Sequence, residues 1–102
     1  MKEEPNWEKA VDGLLPVIIQ DATSLKVLML GYMDREAFSL SRKRNRVTFY
    51  SRSKQRLWTK GETSENYLDI KEIKLDCDQD TFLILVDAHG PTCHRGTTTC
   101  FD

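Results

Sequence analysis

Three cysteines stand at spacings that could hold a metal ion. Cys77, Cys93 and Cys100 are separated by 15 and 6 intervening residues, unlike the paired Cys-x-x-Cys knuckles of zinc ribbons and fingers. Three thiolates with an open fourth position suit catalysis, because zinc lowers the pKa of a bound water towards neutrality. A closed site would need His89 or His94, and His94 adjoins Cys93 too directly to share one ion with it easily. Buried, unreactive cysteines are the alternative.

Three aspartates alternate around the first of these cysteines. In LDCDQDT, an extended strand would aim Asp76, Asp78 and Asp80 to one side and Cys77 to the other. Such carboxylates repel one another unless a cation or a basic group neutralises them, and hard oxygen ligands suit magnesium or calcium. An EF-hand does not fit, because Thr81 stands where its turn needs glycine and the following FLILV is strand-like. A solvent-exposed acidic turn is the alternative.

The segment from Arg42 to Lys60 is suited to bind anions. It holds eight Lys or Arg and no acid, whereas residues 61–102 carry nine acids. Within SRSKQRLWTKGETSEN, Arg52 and Lys60 lie near a loop of glycine, threonine and serine, and such cations and donors are what a phosphate needs. Trp58 could stack on a base, although tryptophan is more often a core residue. An RNA-binding surface or a solvated charged face would have the same composition.

The elements that must position these residues are mostly strands. Residues 14–21 and 26–32 are rich in Val, Ile and Leu and flank the turn-like Ala22-Thr23-Ser24, which predicts a hairpin. The remaining pattern predicts short strands over 46–51 and 56–59, a loop over Gly61–Ser64, an alternating strand over 67–77 and an apolar strand over 81–87. In the alternating strand, one face is predicted to carry Ile73, Leu75 and Cys77.

One helix and one long loop complete the predicted elements. Asp34 is predicted to cap a helix that runs to about Lys43 and ends at Asn45, with a basic last turn that suits the helix dipole. Residues 88–102 are rich in Gly, Pro, Thr and Cys without periodicity, so a metal could be what holds this loop. We therefore predict a small single domain of the α+β class, dominated by sheet and with one main helix. The helix residues expected to face inward are Ala37, Phe38 and Ser41.

Composition limits the class of protein further. The 102 residues, 39% hydrophobic and 30% charged, are typical of one globular domain that gains stability from a metal or a partner subunit. The start, MKEEPNWEK, lacks the apolar stretch of a signal peptide, and the apolar run from Phe82 to Val86 is too short for a bilayer. We expect a cytoplasmic location and no membrane partner. Three cysteines cannot all pair, and reducing cytosol disfavours disulfides, which leaves metal binding or free thiols.

These pieces, in this order, resemble the phosphoribosyl-AMP cyclohydrolase family. The resemblance runs from about Leu14 to Phe101, within a single domain of residues 1–102. Its most specific part is the co-occurrence of Asp-Cys-Asp-x-Asp with a Cys-His pair and a final Cys at this spacing. The matching segments are QD…VLMLGYMDREAF, YSRSKQRLWTKGETS, LDCDQDTFLILV and HGPTCHRGTTTCF.

The resemblance implies two metals and a partner subunit. Members of this family are intertwined homodimers with active sites at the interface, where zinc ligands are shared between subunits, and this would hold the C-terminal loop. The implied partners are a small nucleotide substrate and a second copy of the chain, with no nucleic acid. Carried over residue by residue, the resemblance implies Zn²⁺ on Cys77, Cys93 and Cys100, and Mg²⁺ on Asp76, Asp78 and Asp80.

The implied reaction is hydrolysis of the N1–C6 bond of the adenine ring of phosphoribosyl-AMP, a step of histidine biosynthesis. Zinc-bound hydroxide is the expected nucleophile. His94, beside a zinc ligand, is expected to move protons between the water and a ring nitrogen, although it could instead hold the loop by hydrogen bonding. The residues expected to bind substrate are Arg52, Lys60, Thr63 and Ser64, for the two phosphates, and Trp58, for the base.

A few positions depart from the family pattern. Glu65 stands where a glycine commonly follows Thr-Ser, which leaves the conformation of this loop open, and Arg95 and Thr99 replace smaller or hydroxyl residues. Some members carry a fused phosphoribosyl-ATP pyrophosphohydrolase domain, for which 102 residues leave no room, so we expect the preceding step to belong to another protein. A zinc-stabilised RNA-binding domain and a calcium-binding module are rival interpretations, and neither accounts for all three constellations together.

Overall fold

Six strands and one α-helix make up nearly half of the chain between residues 4 and 102, the part that the computed structural model describes. Residues 1–3, part of the segment on which the expectation about a signal peptide rests, lie outside the described residues. A single 3₁₀ turn, Trp7–Lys9, comes first. The elements that follow are β1 (Leu15–Asp21), β2 (Val27–Met33), α1 (Arg35–Arg44), β3 (Thr48–Ser51), β4 (Arg56–Thr59), β5 (Leu68–Leu75) and β6 (Phe82–Ala88).

Four of the strands form one sheet in the order β2-β1-β6-β5. Strand β1 pairs antiparallel with β2 and parallel with β6, and β5 pairs antiparallel with β6. Strands β3 and β4 form a separate hairpin. The predicted sheet-dominated α+β class is therefore confirmed. Strand β6 lies in the middle of the sheet. The segments before and after it therefore lie at opposite ends of the central strands.

Helix α1 forms where the sequence predicts it. The Asp34 side chain accepts a hydrogen bond from the backbone N–H of Ala37 at 2.8 Å, and the helix ends at Asn45, whose φ of 57° is left-handed. Ser41 is buried and joins the helix to β3, since its hydroxyl accepts from the backbone N–H of Thr48 at 2.8 Å. Ala37 and Phe38 are also buried, as predicted. No helix within residues 4–102 has the length and apolar character needed to cross a membrane.

Strand β5 is irregular in a way that the predicted alternation misses. Its register against β6 shifts between Ile70 and Glu72, which places Lys71 and Glu72 both on the exposed surface. The inward-facing series therefore changes from Leu68 and Ile70 to the partly buried Ile73 and Leu75. The strand ends at Leu75, so the expected continuation of this face to Cys77 is wrong.

The core lies between the four-stranded sheet, α1 and the β3–β4 hairpin. Alternate residues of the central strands are fully buried, as period-two geometry requires. The ring of Phe38 stacks on that of Phe82 with centroids 4.9 Å apart. Gly31 allows the hairpin to approach β2, because a Cβ there would lie 2.6 Å from the ring of Phe49. The buried residues of the central strands are Leu15, Val17, Ile19, Phe82, Ile84 and Val86.

Candidate active site

The predicted site residues collect at two opposite ends of the sheet. Cys93 and His94 follow the carboxyl end of β6, whereas Asp76, Asp78 and Asp80 precede its amino end. Strand β6 has seven residues, and at about 3.3 Å per residue these two groups lie roughly 20 Å apart along the sheet. We call them the cleft end and the aspartate end.

The cleft end brings together most of the residues predicted to act on a substrate. They line a cleft of about 330 Å³. Its first wall comes from residues 58–64 and 66, and its second wall from residues 91–94 and 96. The Nζ of Lys60 lies 5.6 Å from the centroid of the Trp58 ring, which packs against Phe49 with centroids 5.3 Å apart. One wall of the cleft thus carries a cation, an aromatic ring and two hydroxyls, and the other wall carries a thiol and an imidazole. The predicted residues among the lining are Trp58, Lys60, Thr63, Ser64, Cys93 and His94.

The two cysteines at the cleft end differ in the pKa of their thiols. Hydrogen bonding from the backbone and then the side chain of Arg95 lowers the pKa of Cys93 to about 6. The pKa of the Cys100 thiol is raised, first by desolvation and then by its hydrogen bond to Cys93. The pair therefore favours one thiolate beside one thiol. The backbone N–H of Cys100 donates to Leu28 at 2.8 Å, which fixes this part of the loop to β2.

His94 lies at the mouth of the cleft with an exposed side chain. Its Nδ1 is 4.0 Å from the Sγ of Cys93, the outer limit for a hydrogen bond to sulfur. The imidazole can therefore contact a ligand in the cleft as well as the neighbouring thiol.

The aspartate end brings three carboxylates together by a different route from the predicted one. One oxygen from each of Asp76, Asp78 and Asp80 lies within 4.8 Å of the others. The predicted extended strand is wrong here, because the residues after Leu75 form a turn with Gln79 at a φ of 64°. The Asp76 carboxylate closes this turn by accepting from the backbone N–H groups of Asp80 and Thr81, at 3.0 and 3.2 Å.

The charges at the aspartate end are only partly balanced. Desolvation, and then hydrogen bonding and repulsion from the other two carboxylates, raise the pKa of Asp80. The pKa of Asp78 is lowered, first by a hydrogen bond from Asp80 and then by Lys9, whose Nζ lies 3.3 Å from its Oδ2. A divalent cation would relieve the repulsion that remains, and carboxylate oxygens suit magnesium.

Three of the residues predicted to bind zinc or substrate do not line the cleft: Arg52, Cys77 and Cys100. The guanidinium of Arg52 lies 4.0 Å from the centroid of the Tyr32 ring and lines a separate cavity of about 410 Å³ that Asp80 also lines. Cys77 is exposed in the turn at the aspartate end. Among residues 4–102, the three aspartates are the only group of three or more possible metal-binding side chains, so the three cysteines do not meet within one chain.

The loop between β4 and β5 contains features that the sequence analysis missed. Arg56, part of the basic segment, pairs with Glu62 at 2.6 Å, and Glu62 also accepts from the backbone N–H of Thr59 at 3.1 Å. Glu65 adopts a φ of 65°, the conformation that glycine favours, and its N–H donates to Gly61 at 2.7 Å. Asn66 lines the cleft directly after this loop. A polar residue flanking the phosphate-suited loop was the available signal for Asn66.

Comparison with known proteins identifies relatives over nearly the whole chain. Residues 29–102 match the family model described as phosphoribosyl-AMP cyclohydrolase. The chain is 64% identical over 97 residues to the histidine biosynthesis bifunctional protein HisIE of Photobacterium profundum, covering 95% of this chain and 46% of that protein. It is 57% identical over 100 residues to the protein of the same name from Escherichia coli, covering 98% and 49%. The chain thus spans about half the length of these curated relatives.

Proposed function

The chain belongs to the phosphoribosyl-AMP cyclohydrolase family, and from this premise we propose that it hydrolyses the N1–C6 bond of the adenine ring of phosphoribosyl-AMP in histidine biosynthesis. The observation that supports this most is the composition of the cleft. A thiolate-forming cysteine, an exposed imidazole, an aromatic ring and a phosphate-suited loop share one opening of about 330 Å³. Those are the groups that water activation, proton transfer, base stacking and phosphate binding require.

The complete active site forms between two copies of the chain in this proposal. Cys77 lies at the aspartate end, roughly 20 Å along the sheet from the loop of Cys93 and Cys100, so one chain cannot supply three cysteines to one ion. In a two-fold homodimer, a contact of one end with the other occurs twice by symmetry. Each of two identical sites would then combine the cleft end of one subunit with the aspartate end of its partner.

The cysteines fit a zinc ion. The thiolate is the form that binds metal, and the lowered pKa of Cys93 favours it near neutrality. Three cysteine ligands would leave one position for water, and zinc bound there would supply the lowered pKa of that water. The Zn²⁺ ligands in this proposal are Cys93 and Cys100 of one subunit and Cys77 of the other.

Residues of the cleft bind and orient the nucleotide. The ring of Trp58 stacks on the base. Lys60 and the hydroxyls of Thr63 and Ser64 bind one phosphate. His94 moves the proton that the attacking water loses as its oxygen bonds to C6. Water loses two protons in all: one goes to N1 as the N1–C6 bond breaks, and the other goes to the exocyclic imino nitrogen on C6. The water oxygen thereby becomes the carbonyl oxygen of the carboxamide product, and the exocyclic nitrogen becomes its amide nitrogen.

The carboxylates of the aspartate end suit a magnesium ion, which would bind the second phosphate of the substrate. Magnesium commonly binds through one or two carboxylates together with substrate phosphates. Arg52 and Asp80 line the same cavity, so a phosphate there would lie near both the guanidinium and the metal-binding carboxylates. We therefore assign Mg²⁺ to Asp76, Asp78 and Asp80, and the second phosphate to Arg52.

The test is a spectroscopic assay of the protein loaded with zinc and magnesium, following the absorbance change that accompanies opening of the purine ring. We expect turnover that chelation and Cys93→Ser both abolish. Thr98→Ala, at an exposed position of the same loop, is the matched control and should retain turnover. No absorbance change from the folded, metal-replete protein would overturn the proposed function.

A further inference from the structure

A network of side chains outside the cleft fixes the start of the loop that carries Cys93 and His94. The Nε2 of His89 lies 2.6 Å from the Oδ2 of Asp69, and the Nε of Arg46 lies 3.2 Å from the Oδ1 of the same carboxylate. The guanidinium of Arg46 lies 3.9 Å from the centroid of the Tyr67 ring. One carboxylate of β5 thus joins a cation that precedes β3 to the first residue after β6.

The same region connects the two walls of the cleft through the backbone. The N–H of His89 donates to the carbonyl of Tyr67 at 2.9 Å, extending the β5–β6 pairing by one step. At the next residue, a Cβ on Gly90 would overlap the side-chain oxygen of Asn66. Asn66 ends one wall of the cleft, and Pro91 begins the other. The contacts around His89 therefore lie where the two walls meet.

The energetics of this network favour a local role. The side chains of His89 and Asp69 are 45% and 34% exposed, and pairs at such exposure add little to global stability. A hydrogen bond to a carboxylate is nevertheless short and directional, which makes it effective at fixing the orientation of a side chain. Here it fixes the orientation of His89, which lies two residues before Pro91, where the second wall begins.

We propose that His89 is a positioning residue that, through Asp69 and Arg46, fixes the second wall of the cleft relative to the first. It does not touch the nucleotide in this proposal. Its effect reaches the chemistry through the placement of His94 and Cys93 against a substrate held by Lys60 on the other wall. The kinetic part of this inference rests on the proposed function, whereas the structural part does not.

His89→Ala tests the proposal with two readouts, steady-state kinetics and hydrogen exchange of the backbone amides of residues 92–96. We expect kcat to fall by about tenfold to a hundredfold, since small misplacements of reacting groups have effects of that size. KM should change by less than about threefold, because the phosphate-binding wall keeps its own hydrogen bonds. Amide exchange in the second wall should accelerate at temperatures well below the unfolding transition.

Matched variants separate positioning from simple stabilisation. His89→Gln can still donate to Asp69 and should restore most of kcat and of the slow exchange. Asp87→Asn breaks an ion pair with Lys71, 3.2 Å long, on the same two strands, and should leave both readouts near wild type. If His89→Ala does not fold, Asp69→Asn removes the carboxylate that His89 and Arg46 contact, with less change of shape, and should show the same two effects.

The outcomes distinguish this inference from the proposed function. Wild-type exchange and kcat in His89→Ala would overturn the positioning role, as would a His89→Gln protein no better than His89→Ala. A wild-type protein without turnover would overturn the proposed function instead. Amide exchange would then still decide whether His89 fixes the wall.

Discussion

Asp69 and Asp87 are direct partners in the β5–β6 ladder, and each carboxylate has its own cation. Like charges directly opposite one another destabilise a pair of strands unless they are neutralised. Lys71 pairs with Asp87 at 3.2 Å, whereas Asp69 contacts Arg46 and His89. Lys71, which the bulge exposes, pairs with Asp87. Asp69 can therefore contact His89 at the start of the cleft loop.

This arrangement predicts a pH dependence of stability. The hydrogen bond from His89, and then that from Arg46, lower the pKa of Asp69 below its ordinary 3.8. A carboxylate with a lowered folded pKa stabilises the protein above its unfolded pKa, and this contribution is lost as pH falls through the folded pKa. Asp69→Asn should therefore cost about 0.5–1 kcal/mol at pH 7. The difference from wild type should shrink below about pH 4.

Urea denaturation of both proteins between pH 7 and pH 3 measures this difference, with the transition midpoint and its slope fitted at each pH. A destabilisation that stays constant across the whole range would contradict the prediction. It would mean that the amide introduced by Asp69→Asn disturbs packing and that the charge of Asp69 contributes nothing.

A second prediction concerns Glu65, which occupies a left-handed conformation with a φ of 65°. A side chain is strained there, whereas glycine is not, so Glu65→Gly should raise the free energy of unfolding by about 1 kcal/mol. Asn45 is the matched control, because it has a φ of 57° and asparagine tolerates this region well. Asn45→Gly should change stability by less than about 0.5 kcal/mol.

Thermal and urea unfolding of the two variants give the comparison. A stabilised Glu65→Gly protein that keeps its KM would show that the Glu65 side chain has no part in binding. Destabilisation would show that contacts of the Glu65 side chain outweigh the strain of its backbone.

Local structure was predictable from the sequence because its causes are local. The Asp34 cap, the apolar runs and the turn between β1 and β2 each lie within a few residues of what they determine. The turn at the aspartate end is equally local, but it was only the alternative interpretation. The Asp76 carboxylate closes it by accepting from the N–H groups of Asp80 and Thr81, at 3.0 and 3.2 Å. Alternation alone had predicted a strand there.

The arrangement of the candidate site depends on a pairing that no local pattern reveals. Strand β1 pairs in parallel with β6, with Val17 opposite Phe82, across most of the length of the chain. This pairing places β6 in the middle of the sheet, while the length of β6, predicted over 81–87, separates Cys77 from Cys93. The residue types of the site and their division between the two ends of this strand were therefore predictable, whereas the place of the strand in the sheet was not.

That division gives a third prediction, on mixed dimers. Cys77→Ser and Cys93→Ser should each be inactive alone. In a heterodimer of the two variants, one site carries both substitutions and the other carries neither. Free exchange of equal amounts should give about half heterodimers with one intact site each, and therefore about a quarter of wild-type activity.

Turnover after mixing, compared with each variant alone and with a Cys93→Ser and Cys100→Ser mixture, is the measurement. In the control mixture, each variant carries one substitution, and both positions belong to the same loop. Every site of the control heterodimer therefore lacks one cysteine of that loop, and no activity should return. Failure of the first mixture to regain activity, with subunit exchange verified, would place all three cysteines of a site in one subunit.

The last prediction concerns His94, whose exposed ring lies at the cleft mouth with Nδ1 4.0 Å from the Sγ of Cys93. Because the ring is exposed, His94→Ala should fold normally and keep its bound zinc. Turnover should fall by roughly a hundredfold or more if the imidazole transfers the proton between water and N1. The measurements are zinc content by metal analysis and kcat under saturating substrate, with Thr98→Ala as the control in the same loop. Loss of zinc together with activity would instead assign His94 to holding the loop, and near-normal turnover would remove it from proton transfer.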